Sequence, residues 1–211
     1  MLFAAVDPEN RELKDYFEGV HEPPSFDPAK TVRWLEDFIA FALDKRASAA
    51  IDFGGGDTTL GRLVAESPDL APIMEEAGVS PVAVYLLGPR LADLSPLATL
   101  ESAGFRPRAT ALVRNEGRAD PTAPREEEFA RTARHSAYRA AVERGAVELW
   151  MPRLFCAKEV EDRRVKFEQA VGAVSPDGRR VAPLGPFDRS RVRHWLERME
   201  VELAPIASWL P

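Results

Sequence analysis

An acidic residue followed by glycines is the feature of this sequence best suited to chemistry. Asp52 ends a short apolar run, and three consecutive glycines come soon after it: Gly54, Gly55 and Gly56. Glycines let a ligand approach bare backbone, and a carboxylate beside them can hold Mg²⁺, which favours one or two carboxylates together with phosphate oxygens. A structural interpretation is that the glycines form a tight turn and that Asp57 or Thr58 caps the next helix.

Polar residues follow three other apolar runs in the same way. Asp7 and Pro8 come after the first run, Arg90 comes shortly after the third, and Asn115 comes after the fourth. In an open parallel sheet, ligands bind beyond the carboxyl ends of the strands, so these residues are candidates for one site. Arg90 could bind an anion there, or it could be an ordinary solvated arginine at a helix start.

The apolar runs are spaced as strands that alternate with helices. They cover residues 2–6, 49–53, 79–87, 109–113 and 147–151. Each run is nearly continuous in apolar character, as expected for strands covered on both faces, and longer amphipathic stretches separate them. The pattern predicts one three-layer α/β/α domain over residues 1–211, with a mainly parallel sheet of at least five strands.

Helix signals lie between these runs. Val32, Leu35, Ile39 and Ala42 recur at helical spacing, and two further helices are predicted over residues 91–103 and 125–144, each ending before a glycine. Asp188 is placed to cap a last helix near the carboxyl terminus.

Composition places the chain among ordinary globular proteins. It has 211 residues, with 28 Lys and Arg against 34 Asp and Glu, which gives a net charge of −6. No run approaches the roughly 20 apolar residues that a membrane span needs, so no span is expected. One cysteine, Cys156, fits a reducing cytoplasm and has no nucleophile signature around it, while the three histidines lack metal or triad spacing.

Taken in order, the strand ends resemble those of the ParA/MinD-like ATPases, a P-loop class that includes plasmid-partition proteins. The segments that carry the resemblance are Phe3-Ala4-Ala5-Val6-Asp7-Pro8, Ala49-Ala50-Ile51-Asp52 and Ala111-Leu112-Val113-Arg114-Asn115. The stretch from Val82 to Pro89 is similar to the family strand whose loop carries a proline near the nucleotide. The resemblance implies a P-loop NTPase-like sheet, ATP and Mg²⁺ as cofactors, and a homodimer that contacts DNA non-specifically or a partition partner protein.

The same resemblance implies roles for individual residues. Asp7 would be the acid near the γ-phosphate, Asp52 the Mg²⁺-associated acid, and Asn115 the contact to adenine. The other candidate cofactor-binding residues are Pro8, Gly54, Gly55, Gly56 and Arg90.

The phosphate-binding loop of that family is missing from this sequence. The family motif places lysines after glycines, and none of the five lysines here follows a glycine. The family's first strand, P-loop and first helix would lie upstream of Met1. We therefore expect no ATP hydrolysis by the chain as written.

Two alternatives remain open. A sheet that lacks a strand exposes unpaired backbone, so the chain could be a non-catalytic oligomeric interaction module derived from the same fold. Residues 51–58 also resemble in part the first motif of S-adenosylmethionine-dependent methyltransferases, but Gly88 and Pro89 stand where that family has an acid after the next strand.

Overall fold

A computed structural model describes residues 1–6, 12–25, 27–54, 56–172 and 182–210. The chain is an α/β protein, and the five predicted strands are all present and parallel. The strands are β1 (Leu2–Ala5), β2 (Ala49–Asp52), β3 (Val82–Leu87), β4 (Ala109–Asn115) and β5 (Val147–Met151). The predicted fold class is confirmed at this level.

The five strands form two sheets rather than the single sheet that we expected. Within the described residues, β1 pairs with β2, and β3, β4 and β5 pair in that order. In the first sheet, Ala5 lies opposite Asp52. In the second, Leu86 lies opposite Val113, and Arg114 lies opposite Trp150. The apolar runs predict the strands but carry no information on which edges pair, so the division could not be predicted.

Helices connect the strands. Their bounds are α1 (Leu13–Tyr16), α2 (Pro28–Lys45), α3 (Thr59–Glu66), α4 (Leu70–Glu76), α5 (Ser95–Ser102), α6 (Arg125–Ala133), α7 (Ser136–Glu143), α8 (Ala157–Glu161), α9 (Phe167–Gly172) and α10 (Pro186–Leu203). Short 3₁₀ segments precede α5 at Leu91–Leu94, follow β4 at Glu116–Arg118 and follow α10 at Ala204–Trp209.

Three helix predictions need correction. The helix predicted over 125–144 is two helices, because His135 takes an extended conformation and its Nδ1 accepts a hydrogen bond from the Ala137 amide at 3.2 Å. The helix predicted over 91–103 begins as the 3₁₀ segment before α5. Asp188 does not cap α10, which begins at Pro186 after Gly185; Asp188 lies in its first turn and pairs with Arg191.

One helical layer packs against both sheets. Helices α2, α3, α5 and α7 contact one another in that sequence. Their buried side chains join those of both sheets in a single apolar cluster, to which Leu35, Leu63, Leu97 and Tyr138 contribute from the helices. The sheets therefore share one core on this face.

The opposite face of the second sheet is only partly covered. Ile206, in the 3₁₀ segment after α10, packs on Ala111, Val113 and Leu149 of β4 and β5. On β3, Val84 and Leu86 stay 44% and 61% exposed. The cover over this face therefore ends at β4.

No helix in the described ranges is long and apolar enough to cross a membrane.

Candidate functional site

The candidate residues at the end of β2 lie beside a turn whose own hydrogen bonds account for its conformation. Asp52 is the last residue of β2, and its carbonyl accepts a hydrogen bond from the Val6 amide at 2.9 Å. Its side chain is exposed at the carboxyl end of the first sheet. This is the position that the sequence predicts for it.

The glycine turn after β2 has a clear structural role. The Asp57 amide donates to the Gly54 carbonyl at 2.9 Å, which closes the turn. The Asp57 carboxylate accepts from the Thr59 amide at 2.8 Å and from the Thr59 hydroxyl at 2.9 Å, so Asp57, one residue before the N-cap position at Thr58, satisfies the first amide of α3. A Cβ added at Gly56 would meet no atom within 4 Å, so no close approach requires glycine there. The structural interpretation of this segment holds for its described residues.

Three candidate residues, Asp7, Pro8 and Gly55, lie outside the described residues. Their predicted roles at the γ-phosphate and in the glycine turn stay predictions.

The loop after β3 is held together by Asp93. Its carboxylate accepts from the Arg90 amide at 3.1 Å and pairs with the Arg90 guanidinium at 3.4 Å. A Cβ at Gly88 would lie 2.9 Å from Cγ of Asp93, so glycine is required for this carboxylate to reach the loop. The Thr132 hydroxyl donates to the Pro89 carbonyl at 2.9 Å. Arg90, predicted as an anion ligand, thus carries a local ion pair although its side chain is 69% exposed.

Asn115 ends β4 and begins the short 3₁₀ segment that follows. Its side-chain Oδ1 accepts from the Gly117 amide at 2.8 Å. The predicted adenine contact would therefore use the amide nitrogen of this side chain, because the oxygen already serves as a cap.

A cluster around Trp150 is the most elaborate arrangement at this end of the second sheet. The guanidinium carbons of Arg114 and Arg125 lie 4.1 Å and 4.6 Å from the centroid of the indole ring. Phe129 packs edge-on against the ring at 5.3 Å. Arg125 also pairs with Glu116 at 2.7 Å.

Ion pairs set the electrostatics of the Trp150 cluster. Arg125 donates hydrogen bonds to the carboxylates of Glu116 and Glu126, which raises the pKa of Arg125, and its hydrogen bond to Glu126 lowers the pKa of Glu126 in turn. The Tyr138 hydroxyl donates to Glu148 at 2.6 Å, and Glu148 lies 3.6 Å from Arg114. Burial, followed by this hydrogen bond, raises the pKa of Tyr138. Ion pairs and hydrogen bonds thus link the charged groups around Trp150 to one another.

Sequence reasoning missed this cluster. Nothing in the sequence around Trp150 indicates that two arginines contact its ring. The sequence predicts that Arg114 and Trp150 lie near the ends of two strands. Only the pairing register of β4 and β5 shows that these two residues lie opposite each other. Stacking of a base on Trp150 is disfavoured, because the two arginines and Phe129 already occupy the surroundings of its ring.

Other reactive residues in the described ranges take structural roles. Cys156 is buried, its thiol lies 3.7 Å from the Asp188 carbonyl, and burial raises its pKa, which is the opposite of what a nucleophile needs. No group of three or more metal-ligating side chains occurs among the described residues.

A small cavity of about 110 Å³ lies at the other end of the second sheet, before β4 and β5. It is lined by Arg106, Pro107, Arg108, Thr110, Ala141, Arg144 and Ala146. Two of its arginines serve helix ends, since Arg106 donates to the Glu101 carbonyl at 2.9 Å and Arg144 to the Ala140 carbonyl at 3.1 Å. Both also pair with the Glu101 carboxylate. These bonds account for the two arginines as helix caps.

Comparisons with known proteins add no family to this description. No family model matches the chain, and no match was found among curated proteins or among solved structures.

Proposed function

We propose that this chain is a nucleotide-binding protein of the ParA/MinD-like kind, and that ATP with Mg²⁺ binds at the carboxyl ends of its strands. The observation that supports this best is the arrangement of the strands. All five are parallel within their sheets, and both sheets pack on one helical layer. Asp52 and Asn115 therefore end strands that run toward the side where α/β proteins bind ligands.

Each candidate residue has a stated role in this proposal. Asp52 supplies an exposed carboxylate to Mg²⁺, and Asn115 contacts adenine. Arg90 is partly neutralised by Asp93 and contributes little charge to phosphate binding. A P-loop unit that this sequence lacks would hold the phosphates, so the chain alone binds ATP weakly and does not hydrolyse it. A cytoplasmic homodimer that contacts DNA or a partition partner protein belongs to the same proposal.

Calorimetry tests the nucleotide site directly. ATP is titrated into the 211-residue chain with and without Mg²⁺, and the titration is repeated with Asp52→Asn and with the matched control Asp37→Asn. Asp37 is an exposed carboxylate on α2. We expect weak Mg²⁺-dependent binding that Asp52→Asn reduces about tenfold, which corresponds to roughly 1.4 kcal/mol.

Three results would contradict the proposal. Complete absence of binding at millimolar ATP removes the nucleotide site. An equal effect of the two substitutions removes Asp52 from the metal site. Measurable turnover shows that the chain hydrolyses ATP without the P-loop motif.

A second candidate is the non-catalytic interaction module, and one observation favours it. Among the described residues, β2 is bonded to β1 alone and β3 to β4 alone, so each sheet has an edge strand available for pairing. Light scattering tests the oligomeric form of this candidate, because a monomer at high concentration argues against it. The methyltransferase alternative is tested in the same calorimeter with S-adenosylmethionine, and failure to bind removes it.

A further inference from the structure

The cavity before β4 and β5 carries more positive charge than its helix caps account for. Arg106, Arg108 and Arg144 line it. Arg106 and Arg144 both pair with the buried carboxylate of Glu101. Arg108 is exposed and has no ion pair among the described residues. Within this group three positive charges face one negative charge, which leaves a surplus of two.

The segment between α5 and β4 holds two of these arginines in place. Arg106 and Arg108 flank Pro107, whose ring fixes its own φ and restricts the residue before it. The hydroxyl of Thr110, a buried residue of β4, donates to the Pro107 carbonyl at 2.7 Å. The backbone that carries both arginines is therefore constrained in the protein itself, which lowers the entropy cost of binding a ligand between them.

Several N–H donors of the three arginines remain for a ligand. Arg106 uses Nε and Nη2 on the Glu101 carbonyl. Arg144 uses Nη1 on the Ala140 carbonyl and Nη2 on the Glu101 carboxylate. Within the described part of the chain, Nη1 of Arg106, Nε of Arg144 and the whole guanidinium of Arg108 have no acceptor. A planar guanidinium fork can donate two parallel hydrogen bonds to an oxyanion.

Another unmet polar group lies beside the same charges. The Tyr85 hydroxyl is buried and has no hydrogen-bond partner among the described residues. Burial raises the pKa of Tyr85, the Glu101 charge raises it further and the Arg144 charge lowers it, so the hydroxyl lies near both side chains. A buried donor without a partner costs free energy, and a ligand oxygen or a bridging water near this group would reduce that cost.

Size and charge select the ligand. The cavity of about 110 Å³ is smaller than the roughly 300–1,000 Å³ of sites for drug-sized molecules, so it suits a group of a few heavy atoms. A phosphate dianion balances a surplus of two charges, whereas a carboxylate balances one. We propose that this cavity binds a phosphate group, either as the free ion or at the end of a small phosphorylated compound, with Arg108 as its principal ligand and Arg106 and Arg144 as supporting ligands.

This phosphate site is separate from the proposed nucleotide site. Its lining residues precede β4 and β5, whereas Asp52 and Asn115 end β2 and β4. In β4 the two sites therefore lie at opposite ends of one strand. Loss of either site leaves the residues of the other unchanged, so the two proposals can fail independently.

A residue-resolved NMR titration tests the proposal. Inorganic phosphate is added to the full chain at about pH 8, where it is mainly a dianion, and chloride keeps the ionic strength constant. We expect saturable shifts of the amide signals of Arg106, Arg108 and Ala146, with half-saturation on the order of 1 mM. Acetate, a carboxylate, should bind at least about fivefold more weakly than phosphate.

Variants of Arg108 define its role. Arg108→Gln should weaken phosphate binding about tenfold, and Arg108→Lys should lose less because it keeps the charge without the fork. Arg131→Gln is the matched control, since Arg131 is exposed on α6, has no ion pair among the described residues and does not line the cavity. The control should bind phosphate as the unmodified chain does. Because all three substitutions are at exposed residues, the urea midpoints without phosphate should stay unchanged.

The source of the phosphate group is decided by a second titration with glycerol 3-phosphate. Tighter binding of this ester than of inorganic phosphate assigns the cavity to a phosphorylated compound. Equal or weaker binding of the ester assigns it to the free ion. Either result supports the site, provided that the shifts map to the cavity.

Four outcomes would overturn the proposal. The first is an absence of saturable shifts at the cavity. The second is equal weakening by Arg108→Gln and Arg131→Gln, which shows a response to overall charge. The third is a set of shifts confined to residues near Asp52 and Asn115, which assigns phosphate to the nucleotide site instead. The fourth is acetate binding as tight as phosphate binding, which removes phosphate as the ligand class.

Discussion

Trp150 lies opposite Arg114 in the parallel ladder of β4 and β5, with the guanidinium carbon of Arg114 4.1 Å from the centroid of the indole ring. Since Arg125 contacts the ring at 4.6 Å, one tryptophan holds two cations next to each other. Glu148 and Glu116 pair with these cations and limit their mutual repulsion. The cluster joins α6, β4 and β5 at the carboxyl end of the second sheet.

Replacing Trp150 should destabilise the protein. Trp150→Ala removes the contacts with Phe129 and both arginines, and it should cost about 3 kcal/mol of unfolding free energy. Trp150→Phe keeps an aromatic face and should cost about half as much. Urea unfolding measures both values. Equal losses in the two variants would show that cation stacking contributes nothing.

Gly88→Ala should lower the stability of the fold, whereas Gly56→Ala should not. The Cβ at position 88 meets the Asp93 carboxylate, so a loss of about 1–3 kcal/mol is expected. At position 56 the Cβ meets nothing, and alanine should be neutral or slightly stabilising. Thermal unfolding compares the two. In the double variant with Asp93→Ala, the loss from Gly88→Ala should shrink, because the colliding carboxylate is gone.

The cap at α3 gives a third prediction. Asp57→Ala removes the acceptor for the Thr59 amide and should lower stability by about 1 kcal/mol. Asp57→Asn retains an oxygen acceptor and should lose less. Denaturant midpoints distinguish the two. A midpoint for Asp57→Ala that matches the unmodified chain would contradict the cap.

Alkaline pH should weaken the fold through its buried tyrosines. Burial, followed by the hydrogen bond to Glu148, raises the pKa of Tyr138, and burial, followed by the Glu101 charge, raises the pKa of Tyr85, both above their ordinary value of 10.0. The folded state therefore holds these protons more tightly than the unfolded state does. Their contribution is complete below pH 10.0 and is lost as the pH rises above it toward the raised values.

Urea unfolding at pH 8 and at pH 10.5, both chosen around the ordinary tyrosine pKa of about 10, measures this loss. Tyr138→Phe should reduce the decline between the two pH values, because one of the two hydroxyls is gone. A decline unchanged by Tyr138→Phe would mean that other groups cause it.

The strands of this protein could be predicted from sequence, because continuous apolar runs such as Ala109 to Val113 leave few other interpretations. The division of these strands into two sheets could not be predicted, because it depends on which strand edges meet, and the strands that meet are far apart in the sequence. The break between α6 and α7 was missed because a histidine cap at His135 is a weak local signal. At the candidate site, Asp52 and Asn115 occupy the predicted strand ends, whereas the contacts of Arg90 and Trp150 depend on neighbours that the sequence does not identify.

The position of His21 beside β1 has a mechanical consequence. β1 is hydrogen-bonded to β2 on one side and to His21 on the other. A force applied along the chain at Met1 would load these bonds together in shear, so that they resist as a group instead of opening one after another. β1 should therefore resist a pulling force. We expect that a force applied at Met1 must be larger to unfold the protein than a force applied at Trp209.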